Sequence, residues 1–158
     1  MDRAPAPEGM PGTPADLRSG LDRQRELYRR LFAHAVRQRD ALRSGDTAAL
    51  LPIVEEKRSL LAAGEEVDRA LAPWRERWAE LRGHLDADDR AGVDALVGQV
   101  EEVLRALLAI EEECTRMVEE GLTVTRGEIQ KVTDARKLQS AYHPPAPPPE
   151  SRFLDRTE

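Results

Sequence analysis

Apolar residues recur at alternating spacings of three and four along most of the chain, as expected of helices that each bury one seam. The first seam runs Leu17, Leu21, Tyr28, Leu31, Ala35 and Leu42, with Gln24 and Gln38 at its two remaining positions. It predicts a helix ending near Arg43, in which Thr13 caps, Pro14 takes the first helical position and Asp16 reaches back to the free amides. Ser44-Gly45-Asp46 supplies the stop, and Asp46 caps the second helix. The second seam is Leu50, Ile53, Leu60, Val67, Leu71, Trp74, Trp78, Leu81 and Leu85, broken only by Lys57 and Gly64, and predicts a helix to about His84. Pro52 is expected to mark the first turn of its regular part. Pro73 is expected to bend its axis, because proline cannot donate to the carbonyl of Arg69. Asp86-Ala87-Asp88-Asp89 makes the second turn and sets carboxylates where a helix start favours them. The third seam is Leu96, Val100, Val103, Leu107, Ile110, Cys114 and Met117. Leu122, Ile129 and Val132 continue it one position out of heptad phase, which the drift of about 20° per heptad in a straight helix explains.

No alternating strand pattern and no repeat of fixed length occurs, so the expected fold class is all-α: an antiparallel, coiled-coil-like bundle of three long helices over residues 14–120. Rise per residue makes the lengths unequal, about 60 Å for residues 46–85 against about 80 Å for 88–142. Folded back, the second helix reaches only to about Gly127, which predicts a helical overhang from Glu128 to Tyr142. Together with the composition of the region from Gly121 on, this sets residues 121–143 apart as an extension. Nine of the eleven prolines fall at positions 5, 7, 11 and 14 and between 144 and 149, marking residues 1–13 and the Pro-rich 144–158 as tails.

The extension differs in composition from the rest. Gly121, Gly127, Thr123, Thr125 and Thr133 lower helix propensity, while Leu122, Val124, Ile129, Val132 and Leu138 keep the segment apolar. Such a segment orders best against a partner helix laid on its stripe; composition alone fits a fraying end without a role equally well.

Charge changes the picture in two ways. The net charge of −6 argues against general affinity for nucleic acid or an anionic membrane. Residues 16–43 hold eight bases and four acids, net +4, and residues 91–120 two bases and eight acids, net −6, so the first helix is expected beside the third. The least polar stretch, Ala48 to Val54, is far short of the roughly 18 residues of a membrane span, so no stable membrane insertion is expected. The start of the chain has acid and proline where a secretory signal has bases and an apolar run, and a cytoplasmic location is the expectation.

Candidate chemistry is sparse. His34, His84 and His143 stand at no metal-ligand spacing, no Glu-x-x-His pair occurs, and neither a nucleophile elbow nor a glycine-rich phosphate loop is present. No enzyme, metal or cofactor is expected. Cys114, the single cysteine, lies on a seam and reads as a buried small residue. The acids Glu111-Glu112-Glu113 and Glu119-Glu120, and the bases Arg25, Arg29, Arg30, Arg37, Arg39 and Arg43, read as solvated helix faces. Trp74 and Trp78 read as core anchors, and Lys57 as a snorkelling side chain in preference to a register device.

Several segments together resemble the flagellar type III export chaperones of the FlgN family. They are Leu27-Tyr28-x-x-Leu31-Phe32, Ala41-Leu42-Arg43-Ser44-Gly45-Asp46, Glu56-Lys57-Arg58-x-Leu60-Leu61, and Ala141-Tyr142 followed by the Pro-rich linker and Ser151-Arg152-Phe153-Leu154-Asp155. The likeness covers roughly residues 20–158. It implies a cytoplasmic chaperone that binds the C-terminal helices of hook-filament junction proteins, prevents their premature assembly and presents them to the export gate. It further implies that cargo is held by the last long helix, on this sequence Val118, Leu122, Thr125, Ile129, Val132 and Leu138, and that Tyr142 docks on the export gate. A self-associating scaffold and a sibling chaperone for the filament cap protein remain open alternatives.

Overall fold

The computed structural model describes residues 9–142. They form four helices, α1 (Pro14–Ser44), α2 (Thr47–Glu76), α3 (Trp78–Leu81) and α4 (Ala87–Tyr142), with a 3₁₀ turn at Arg82–His84 between the last two. No strand occurs among the described residues. Residues 1–8 and 143–158, with the Pro-rich run and Phe153-Leu154-Asp155, lie outside them. The chain divides into two compact units, Met1–Val118 and Glu119–Glu158.

Helix boundaries in the first unit follow from local chemistry. The Thr13 hydroxyl accepts from the Asp16 amide at 3.2 Å while the Asp16 carboxylate accepts from the Thr13 amide at 2.9 Å, a reciprocal box that satisfies two orphan donors. At the far end Gly45 adopts φ 71°, a left-handed cap that costs a residue without Cβ little, and its amide donates to the Leu42 carbonyl. Asp46 then caps α2 by accepting from the Ala49 amide. Asp86 caps α4, accepting from the Asp89 amide at 2.7 Å.

Two expectations for the second helix need correction. Pro52 does not mark its first turn, because α2 already begins at Thr47 and carries Pro52 inside it. Nor does one bent helix run through Pro73 to His84. Pro73 is accommodated within α2, and the interruption falls four residues later at Arg77, whose φ −111° and ψ 16° lie outside the helical range. The Arg77 guanidinium holds the break together: it grips both oxygens of Glu80 at 3.1 and 2.6 Å and donates to the Gly9 carbonyl at 2.6 Å. That grip keeps the Glu80 carboxyl below the usual carboxylate range, through the hydrogen bond first and the positive charge second.

Two apolar clusters make the core of this unit. One joins Leu17 and Leu21 of α1, Val67, Leu71 and Trp74 of α2, and Leu81, Leu85 and Val93. The other joins Leu31 and Ala35 of α1, Leu60 of α2, and Leu107 and Ile110 of α4. All but one of these residues come from the seams read in the sequence; the exception, Val93, sits one turn ahead of where the third seam was begun. Ala41, not Leu42, is the buried residue at the end of α1. Gly20 lets α1 and α2 approach closely, since a Cβ there would stand 2.8 Å from a terminal methyl of Leu71.

Polar pairs fix the directions of the helices. Gln24 meets Asp68 and Gln38 meets Lys57, so α1 and α2 run oppositely. Arg18 pairs with Asp89 at 2.8 Å and Arg43 with Glu113 at 2.5 Å, so α1 and the early part of α4 run the same way. Of the basic cluster on α1, Arg25, Arg37, Arg39 and Arg43 all contact carboxylates. Each such exposed pair contributes about 0–1 kcal/mol, against roughly 1.5–3 kcal/mol for a buried Leu or Val, so the seams carry the stability.

Lys57 is a further correction. Its ammonium does not snorkel to solvent; it donates to Gln38 at 2.8 Å and to Glu111, joining α1, α2 and α4 in one polar layer within an otherwise apolar seam. A polar group so placed fixes the axial register of the helices around it. Cys114 lies one turn beyond Glu111, 1% exposed, its thiol directed at the Ala35 carbonyl. Burial, and then the Glu111 charge, push this thiol above the ordinary range.

Candidate functional site: the exposed C-terminal face of α4

Burial along α4 changes abruptly. Up to Met117 every turn has a buried or half-buried residue, whereas each residue from Val118 to Tyr142 is exposed. In the second unit, 119–142 remains helical although Gly121 and Gly127 lie within it and a Cβ at either would meet nothing within 4 Å. Neither glycine is therefore required by packing.

The threonines are handled by the helix itself. Thr123, Thr125 and Thr133 donate their hydroxyls to the carbonyls of Glu119, Gly121 and Ile129, four residues back, at 2.9, 3.0 and 2.9 Å. With the hydroxyl turned back onto the backbone, the methyl is the group each offers outward. Thr125 thus behaves as an apolar residue on its face.

Helical phase then sorts the expected site residues. Leu122, Thr125, Ile129 and Val132 follow each other at spacings of three, four and three and so share one side of the helix; Val118, also among the expected residues, belongs to the first unit. The large apolar residues among them are between 42% (Val118) and 61% (Ile129) exposed. Leu138 does not belong to this face. It lies nine residues beyond Ile129, about two and a half turns, and so points to the opposite side. Tyr142, 78% exposed, shares that other side with Leu138 four residues earlier. The resemblance put Leu138 in the set; counting from Ile129 puts it on the other side of the helix.

The side chains of 119–142 balance four acids, Glu119, Glu120, Glu128 and Asp134, against four bases, Arg126, Lys131, Arg136 and Lys137, and none of the eight falls among the face residues. Among the described residues these eight form no ion pair. The face offers no acid, nucleophile or metal ligand; its chemistry is that of a narrow apolar stripe about three turns long with charged margins. Elsewhere, no group of three metal-ligating side chains occurs among the described residues, and no helix there is long and apolar enough to cross a membrane.

A family model described as FlgN protein matches residues 10–149. Neither a curated protein nor a solved structure matches the chain.

Proposed function

Since the chain belongs to the FlgN family and is in that general sense a flagellar export chaperone, we propose that it holds its clients on the α4 stripe of Leu122, Thr125, Ile129 and Val132, and that Val118 of the first unit also meets the client. The client is the C-terminal helix of a hook-filament junction protein. One observation carries this reading: aliphatic side chains at helical spacing stand in solvent along a segment that buries nothing of its own. An amphipathic helix laid in parallel contact covers such a stripe by the same three-and-four interleaving that joins α1, α2 and α4. The core is read as three long helices, with α2 and α3 counted as one interrupted arm. The protein acts in the cytoplasm, and we assign it no catalytic role. Tyr142 serves the export gate, and Leu138, on the same side as Tyr142, is taken out of the client set.

Truncation after Glu120 tests the proposal, because both core clusters draw only on earlier residues. The shortened protein is expected to keep its thermal midpoint and to lose the client in a pull-down with purified junction protein. Ile129→Asp in the full chain is expected to do the same while leaving the fold untouched. Retention of the client by either variant would remove the α4 stripe as its binding site.

A further inference from the structure

A cavity of about 360 Å³ opens into the first unit beside the helix break. Its floor is core, including Leu21, Leu71 and Val93, and its walls carry Trp74 and Trp78, one on each side of the interruption at Arg77. Gly20 brings α1 against α2 at Leu71, a residue of the lining. Among its lining residues Gln24, Trp78 and Val97 are half-buried, and Arg75 of α2 and Glu101 of α4 are exposed, which puts these two at its rim. Water in this space has mostly apolar neighbours, so an apolar group entering it releases poorly bonded solvent and meets preformed walls.

The rim says what kind of molecule fits. Glu101 makes no hydrogen bond or ion pair among the described residues, and Arg75 across the opening reaches only Asp68, at 4.0 Å, and that residue's carbonyl. A fatty acid would find Arg75 for its carboxylate but would leave Glu101 without a partner and beside a like charge. A peptide that carries a base beside its apolar residue meets Glu101 favourably and leaves Arg75 for an acid or carbonyl further along.

We propose that this cavity is a second peptide-binding site, which takes one or two bulky apolar side chains of a segment whose neighbouring residue is Lys or Arg. It lies entirely within Met1–Val118 and does not depend on the client reading of α4.

Trp74 and Trp78 are the chain's two tryptophans, so fluorescence excited at the indole band reports on this cavity alone. The probe is the peptide acetyl-Lys-Leu-Phe-amide titrated into the full chain, with acetyl-Glu-Leu-Phe-amide and acetyl-Lys-Ala-Ala-amide for comparison. A saturable spectral shift is expected with the first and a much weaker one with the others. Val97→Phe, which fills the mouth, is expected to abolish the shift. Glu101→Lys, at an exposed position that leaves folding intact, is expected to move the preference between the Lys and Glu peptides by roughly tenfold towards Glu. An absent shift, a shift unchanged in folded Val97→Phe, or equal response to all three peptides would overturn the proposal.

Discussion

Replacing Gly127 by Ala probes the α4 segment without touching its stripe. The residue points away from the Leu122–Val132 side, and a Cβ there meets nothing within 4 Å, so neither lost contact nor crowding complicates the change. What remains is backbone entropy: glycine in a helix interior is less favourable than alanine by about 1 kcal/mol. Local opening of the segment should become harder by that amount, which slows amide exchange roughly fivefold. Hydrogen exchange followed by mass spectrometry on the full chain, over peptides spanning 119–142, measures this directly; peptides from α1 should not change. Gly121→Ala is expected to give a similar gain, and the two together roughly 25-fold. Because a pre-ordered helix spends less of its interaction energy on ordering, Gly127→Ala should bind client at least as tightly as the parent. If exchange does not slow, the segment is not helical in solution. If exchange slows but client binding collapses, Gly127 touches the partner and the assignment of faces is wrong.

The first unit yields three other expected outcomes. Glu111→Ala, which strips a carboxylate from the enclosed Lys57 ammonium, should lower stability by about 1–3 kcal/mol in urea unfolding, whereas Lys57→Met should cost less or even stabilise; the reverse order would contradict the register role of the layer. The Cys114 thiol is raised in the folded state, so its contribution to stability is complete below the ordinary thiol range and is lost as pH rises through the raised folded value. Thermal midpoints should therefore fall with alkaline pH more steeply for the parent than for Cys114→Ala. Gly20→Ala pushes a methyl against Leu71, yet Leu71 borders the cavity and can yield into it, so the net change should stay within about 1 kcal/mol while the tryptophan emission shifts. A loss of about 3 kcal/mol or more would mean that Leu71 has nowhere to go.

The seams were legible because one buried face per helix leaves a period that composition cannot hide, and the caps at Thr13 and Asp46, the stop at Gly45 and the turn at Asp86 because their chemistry is local. What escaped was set by several helices at once. Lys57 looked like a side chain able to reach solvent until Gln38 and Glu111 closed around it. The break at Arg77 has no marker of its own in the sequence; Pro73 pointed to the region but not to the residue. The cavity is invisible in one dimension, since it is the space that α1, α2 and α4 leave between them. Val93 and the phase of Leu138 were readable by counting three, four and nine residues from their neighbours.

The threonines that spend their hydroxyls on their own backbone have a thermodynamic consequence. A partner covering that stripe gains almost no new polar bonds, so calorimetry of the complex should show little heat near 25 °C and a pronounced negative heat capacity change. Added salt should barely loosen it, and cooling should. Temperature, more than ionic strength, would then govern how readily a client is let go.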